Sequence, residues 1–124
     1  MISTKDLYEF QNDEAYRHFA AGYALMYSSG RCDTHTEYLA MMDEAFVELG
    51  RARAIEPENP HIVFWIAWGK DTMHAHPDEI IPILEQILGL CKNPTYHNTD
   101  HIADLTTYAL NEYRNQQKNV IDHD

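Results

Sequence analysis

The sequence predicts an all-α protein of about five antiparallel helices. Three observations carry that expectation. Apolar residues recur at steps of three and four along every long segment. Proline and helix-capping residues stand at the joints between these segments, at Asn12, Thr34, Pro60 and Pro77 among others. No alternating apolar–polar run calls for a strand.

In the first segment Tyr16, Phe19, Ala20, Tyr23 and Met26 form one stripe. Asn12 or Asp13 caps it, or the helix begins near Thr4 and takes in Leu7 and Phe10. "SSGR", Ser28 to Arg31, ends it, with Gly30 suited to a left-handed cap. The second helix starts near Thr34 or Thr36. Leu39, Met42, Phe46, Leu49 and Ala52 or Arg53 trace its stripe, widened by Ala40, Ala45 and Ala54. "EPENP", Glu56 to Pro60, breaks it, because a proline disfavours helix in the residue before it.

The third segment, His61 to about His74, is apolar on most sides from Ile62 to Trp68. Such a run also suits a buried strand. Helix is preferred because it flows into "GKDTMHA" without a turn signal and follows a proline. A helix apolar all round sits between neighbours. The fourth helix begins at "HPDEI", with Pro77 at its first position and Asp78 and Glu79 near the positive end of the dipole. Ile80, Ile81, Leu84, Ile87, Leu88 and Cys91 form its stripe, and Pro82 removes one early hydrogen bond. The fifth runs from about Thr99 to Gln117, with Ile102, Leu105, Tyr108, Ala109 and Tyr113 inward. The 124 residues make one helical domain over 1–118, followed by a fraying tail at 119–124.

Composition narrows the function classes. Twenty acidic residues against nine basic ones give a formal charge of -11. Phosphate backbones and anionic membranes repel such a surface, so direct binding to nucleic acid or lipid is not expected. A partner protein with a basic surface is favoured; plain solubility explains the acid equally well. Cys32 and Cys91 make no disulfide framework, and the N-terminus has no signal-peptide pattern, so a cytoplasmic setting is expected. The longest apolar stretch, Ile62 to Gly69, is too short to span a bilayer.

One internal pattern goes further. Ala45, Leu49, Ala52 and Pro57 follow one another at four, three and five. Small residues at such spacing let two helices pack closely, and the proline turns the chain. Beyond it, Val63, Ile66 and Ala67 repeat a large–large–small order, as do Tyr16, Phe19, Ala20 and Tyr23 in the first segment. Over roughly residues 14–91 the chain resembles a pair of tetratricopeptide-repeat hairpins with a fifth, capping helix. A non-repeat helical bundle is the alternative. The loop from Ser28 to Thr36 is longer than that family's turn, and alanine (Ala20, Ala67) stands where its glycine would. The resemblance implies a concave face lined by first helices. Carried over by position, Glu14, Arg17, Ala21 and Ala24 face it from the first hairpin, and His61, Phe64, Trp68 and Asp71 from the second. Phe64 with Trp68 then anchors a partner's peptide or helix; the same apolar surroundings also suit two plain core rings.

"YHNTDHIADL", Tyr96 to Leu105, resembles over some ten residues the signature of HD-domain metal-dependent phosphohydrolases. That resemblance implies His101 as a metal ligand and His97 as a proton donor; a bare structural metal site at His97, His101 and Asp104 is a separate alternative. The family's later His-Asp pair is matched only by His123 and Asp124 at the chain end, where the family needs a helix interior. The ordinary reading is a capped helix start, with Asn98 or Thr99 as cap and Asp100 in the first turn. His74 and His76 read as a polar helix junction. There is no Gly-rich phosphate loop and no Gly-x-Ser-x-Gly elbow.

The sequence is therefore expected to encode a non-enzymatic, cofactor-free, protein-binding module. An adaptor, an immunity-type neutraliser of a basic toxin and a phage-encoded inhibitor of a nucleic-acid-binding enzyme all fit. The alternatives are a phosphohydrolase using His97 and His101, and a homodimer that completes the apolar third helix.

Overall fold

The computed structural model describes residues 10–122, with side chains to Lys118. Among these residues it is all-α: α1 Asp13–Ser29, α2 His35–Ile55, α3 Pro60–Thr72, α4 Pro77–Leu90 and α5 Asp100–Asp122. The expected start near Thr4 falls outside the described residues; Phe10 itself is buried and not helical.

Each start has a local cause. The Asn12 side chain accepts from the N–H groups of Glu14 and Ala15 at 2.8 and 3.1 Å. Thr34 accepts from Glu37, and Asn59 from His61. A ring nitrogen of His76 accepts from the Asp78 N–H at 3.1 Å. These bonds satisfy N–H groups that have no intrahelical partner. Pro60 and Pro77 open α3 and α4 at positions that need no N–H. Two ends differ from expectation. Gly30 follows α1 with right-handed dihedrals (φ -68°), so its left-handed freedom is unused. The left-handed residue is His74 (φ 60°), after α3, where the Ala75 N–H reaches back to the Lys70 carbonyl.

Neighbouring helices run antiparallel. Between α1 and α2, His18 meets Glu48 and Gly22 meets Ala45 and Leu49, rising numbers against falling ones. Between α4 and α5, Asp78 meets Gln117 and Glu85 meets Arg114. α1 and α2 make the most extensive pair, and each later helix packs on the one before.

The core has two parts that share α3. Phe19 and Met26 of α1, Met42, Ala45, Leu49 and Ala52 of α2, and Ile62 and Ile66 of α3 form the first. Val63 and Ala67 of α3, Ile80, Leu84 and Ile87 of α4, and Ile102, Leu110 and Tyr113 of α5 form the second. This accounts for the apolar all-round character of α3: it has neighbours on both sides. Ala40 and Ala54, expected in the α2 stripe, are exposed, because only one face of α2 is covered.

One polar group is buried at the end of α2. The Glu56 carboxylate is 6% exposed. It accepts from the backbone N–H groups of Gln11 and Asn12, both at 3.1 Å. It also accepts from the Tyr96 hydroxyl at 2.9 Å and more weakly from the Asn59 amide at 3.4 Å. The chain before α1, the α2–α3 turn and the α4–α5 loop thus meet on one carboxylate. Close by, His61 donates from Nε2 to the His97 carbonyl at 3.0 Å.

Two substitution pairs test this account. A Cβ at Gly22 would lie 2.8 Å from Leu49 Cγ and 3.0 Å from the Ala45 carbonyl oxygen, whereas one at Gly50 meets nothing. Gly22→Ala lowers urea-unfolding stability by about 1–3 kcal/mol through overpacking. Gly50→Ala raises it by about 0.5–1 kcal/mol by removing glycine from an exposed helix interior. In the same assay Glu56→Ala costs about 3 kcal/mol or more, because several buried donors lose their acceptor, and Tyr96→Phe costs about 1–2 kcal/mol.

Candidate functional site

α4 packs on both α3 and α5, while α3 and α5 touch only slightly. The gap between them is a groove of about 360 Å³. α3 supplies Phe64, Trp68 and Asp71, α4 supplies Ile80 and Leu84 at the floor, and α5 supplies Leu105, Tyr108, Glu112 and Tyr113. Trp68 is 47% exposed, Leu105 44% and Tyr108 68%, so much apolar surface is open. Leu105 and Tyr108 were expected to face inward. Thr106 takes the buried seat on α5 instead, with Ile102, Leu110 and Tyr113.

The groove has a polar component of one sign. Its charged lining residues are Asp71 and Glu112. The Tyr113 hydroxyl donates to the Asp71 carboxylate, joining α5 to α3. Beside it, the Gln117 amide donates to Asp78 at 2.6 Å and Lys70 pairs with Glu79 at 2.8 Å. The Thr106 hydroxyl is 1% exposed, lies in the groove wall and has no hydrogen-bond partner. A buried hydroxyl without a partner costs about 1–3 kcal/mol, a cost that an occupant with a matching polar atom removes.

Of the positions carried over from the repeat resemblance, Phe64, Trp68 and Asp71 share this groove. His61 does not join them. It is 1% exposed and is spent on the His97 carbonyl, so it offers a partner no surface. Glu14, Arg17, Ala21 and Ala24 are exposed on α1 but line no part of the groove. The α5 contributions, Leu105, Tyr108 and Glu112, were missed as site residues. Their apolar members keep helical spacing, and spacing does not say whether a facing helix closes over them.

His97, His101 and Asp104 are all exposed, and Asn98 between the histidines adopts φ 55°. Among the described residues no three His, Cys, Asp or Glu side chains are grouped to hold a metal ion. His123 and Asp124 lie outside the described residues. The "TYHN" stretch has a structural use: Tyr96 binds Glu56, and the His97 carbonyl binds His61. Cys32 and Cys91 are free thiols. Burial, with a smaller contribution from Asp100, pushes the Cys91 thiol up, which holds it protonated and weakly nucleophilic. Among the described residues no helix is long and apolar enough to cross a membrane.

No protein family matches this sequence, and neither the curated proteins nor the solved structures provide a match.

Tyrosine titration reports on the groove's end. Burial first, then the bond to Asp71 and its charge, raises Tyr113 above the ordinary 10.0. Tyr96 is raised by burial and by Glu56 in the same way. A raised group contributes stability that is complete below its unfolded value and is lost as pH climbs from there toward the folded value. Stability therefore falls above about pH 10, by at most about 1.4 kcal/mol per pH unit for each tyrosine. Unfolding of Tyr113→Phe followed from pH 8 to 11 shows a shallower decline than the unsubstituted protein.

Proposed function

We propose that this protein is a helical docking module that binds a basic, amphipathic segment of another protein in the α3–α4–α5 groove. The observation that carries the reading is the pairing of open apolar side chains, Trp68, Leu105 and Tyr108, with Asp71 and Glu112 and, among the described residues, no cation in the lining. A bound helix lays apolar anchors at i, i+3 and i+4 into such a trough, and its flanking lysines or arginines meet the carboxylates. The formal charge of -11 steers a basic partner toward the surface before contact. Trp68 is the natural anchor contact, being a half-exposed tryptophan at the groove edge.

The packing order supports the finer architectural reading, a stack of tetratricopeptide-like hairpins in which α1–α2 and α3–α4 are the pairs and α5 is the cap. Small residues face each other across the first pair, where a Cβ at Gly22 would meet the Ala45 carbonyl oxygen at 3.0 Å. In that architecture α1, α3 and α5 share one face, and α3 and α5 are the two walls of the groove. A homodimer that uses the same groove is an alternative occupant, and light scattering separates it from a hetero-partner.

The experiment is a pull-down from the native cell, run with the unsubstituted protein, Leu105→Glu and Asp71→Asn/Glu112→Gln. The expected partner is recovered by the unsubstituted protein and lost with Leu105→Glu. Its affinity falls about tenfold or more in the double charge variant and falls again as salt rises from about 50 to 300 mM. A partner held equally by all three proteins, or held independently of salt, overturns the proposal.

A further inference from the structure

A second concavity lies on the other side of Trp68, between α1, α2 and α3. It measures about 370 Å³. Five aromatic rings line it: Tyr23 and Tyr27 of α1, Tyr38 of α2, and Trp65 and Trp68 of α3. The walls are set at angles to one another. Tyr23 and Trp65 stand at 88° with centroids 4.9 Å apart, and Trp65 and Trp68 at 51° and 5.7 Å. Ring faces carry negative quadrupole density, so rings meeting at a corner make a pocket for a cation. At the rim the Arg31 guanidinium stands 5.1 Å over the Tyr27 ring and donates to its hydroxyl at 3.3 Å, so the Tyr27 face is already taken and the other four rings are the ones left to a ligand.

The lining also selects among cations. Among the described residues it contains no carboxylate and no carboxamide. Its two small hydroxyls are committed to backbone carbonyls, Ser29 to Met26 and Thr72 to Trp68. The acceptors left to an entering primary ammonium or guanidinium are neutral side-chain hydroxyls, those of the tyrosines, Ser29 and Thr72, so it would exchange water for few and uncharged partners. A fully alkylated ammonium has no hydrogen bonds to lose. Its charge needs only the ring faces, and its methyl groups fit the apolar wall.

We propose that the Tyr23–Tyr38–Trp65–Trp68 pocket is an aromatic cage for a quaternary or trimethylated ammonium group. The site is separate from the α3–α4–α5 groove and does not rest on the docking function proposed for it.

Both tryptophans of the chain line the pocket, so intrinsic fluorescence reports its occupancy. The probes are choline, its neutral carbon isostere 3,3-dimethylbutan-1-ol, and N-acetyl-trimethyllysine amide. The expected result is a saturable fluorescence change with choline at millimolar concentration, and binding of the isostere about three- to thirtyfold weaker. Trp68→Leu and Tyr38→Leu keep apolar bulk but remove a ring face. Each weakens choline about three- to thirtyfold and leaves the isostere nearly unchanged. Circular dichroism confirms that each variant is folded. Tyr38→Leu lies outside the α3–α4–α5 groove, so its effect is read independently of that site. Tighter binding of the trimethyllysine probe than of choline assigns the site to a modified protein, and the reverse order to a small metabolite; both support the cage. Equal binding of choline and its isostere, or no saturable change up to about 100 mM choline, overturns it.

Discussion

Ile62 and Ile66 of α3 lie in one apolar cluster, while Val63 and Ala67 of the same helix lie in another. A helix of this kind cannot stand at a surface. Each fully buried Ile or Val side chain stabilises by about 1.5–3 kcal/mol, and α3 collects that gain on both sides. The two halves of the core are therefore not independent. α1 and α2 close one side of α3, and α4 and α5 close the other. Where its partners leave it uncovered, around Phe64 and Trp68, concave surface results. Both candidate pockets are places where α3 has a neighbour beside it but none on top.

The ends of this arrangement are held by polar contacts that the apolar core does not supply. Glu56 terminates α2 and receives donors from the chain before α1 and from Tyr96 in the α4–α5 loop. A buried carboxylate is unfavourable unless its lone pairs are filled. Here they are filled by groups separated by some forty residues in sequence, so the loops must come together for the charge to be tolerated. His61 adds a second tie to the same loop. The long α4–α5 connection is thereby fixed against the α2–α3 turn, and α5 is set down along α4 at a distance from α3.

That separation between α3 and α5 gives the protein its proposed docking groove. Apolar side chains that a closed bundle would bury, Leu105 and Tyr108, stay accessible. The Asp71–Tyr113 bond links the two walls without filling the space between them. The groove sets two acidic groups, Asp71 and Glu112, beside open apolar area. The aromatic corner across Trp68 differs, having rings and, among the described residues, no carboxylate. The two sides of Trp68 thus differ in lining because α3 has different neighbours on each side.

The sequence by itself determined the helices. Periodicity of three and four, with Asn12, Thr34, Pro60 and Pro77 at the starts, is local information that the backbone reads within a turn or two. The all-round apolar run of α3 likewise announced a helix between neighbours. Phe64, Trp68 and Asp71 came together only through the repeat resemblance, because in sequence the apolar surroundings of the two rings suit a core position equally. Other features depended on what lies opposite in space. Leu105 and Tyr108 have the same apolar spacing as true core residues, and only the stand-off of α3 leaves them open while Thr106 is buried. His61 carries the same pattern signal as Phe64, yet the α4–α5 loop covers it. The histidine pair at His97 and His101 looks like chemistry in one dimension. In three dimensions the residues beside it tie the α4–α5 loop to the α2–α3 turn, through Tyr96 on Glu56 and the His97 carbonyl on His61, contacts that sequence spacing does not reveal.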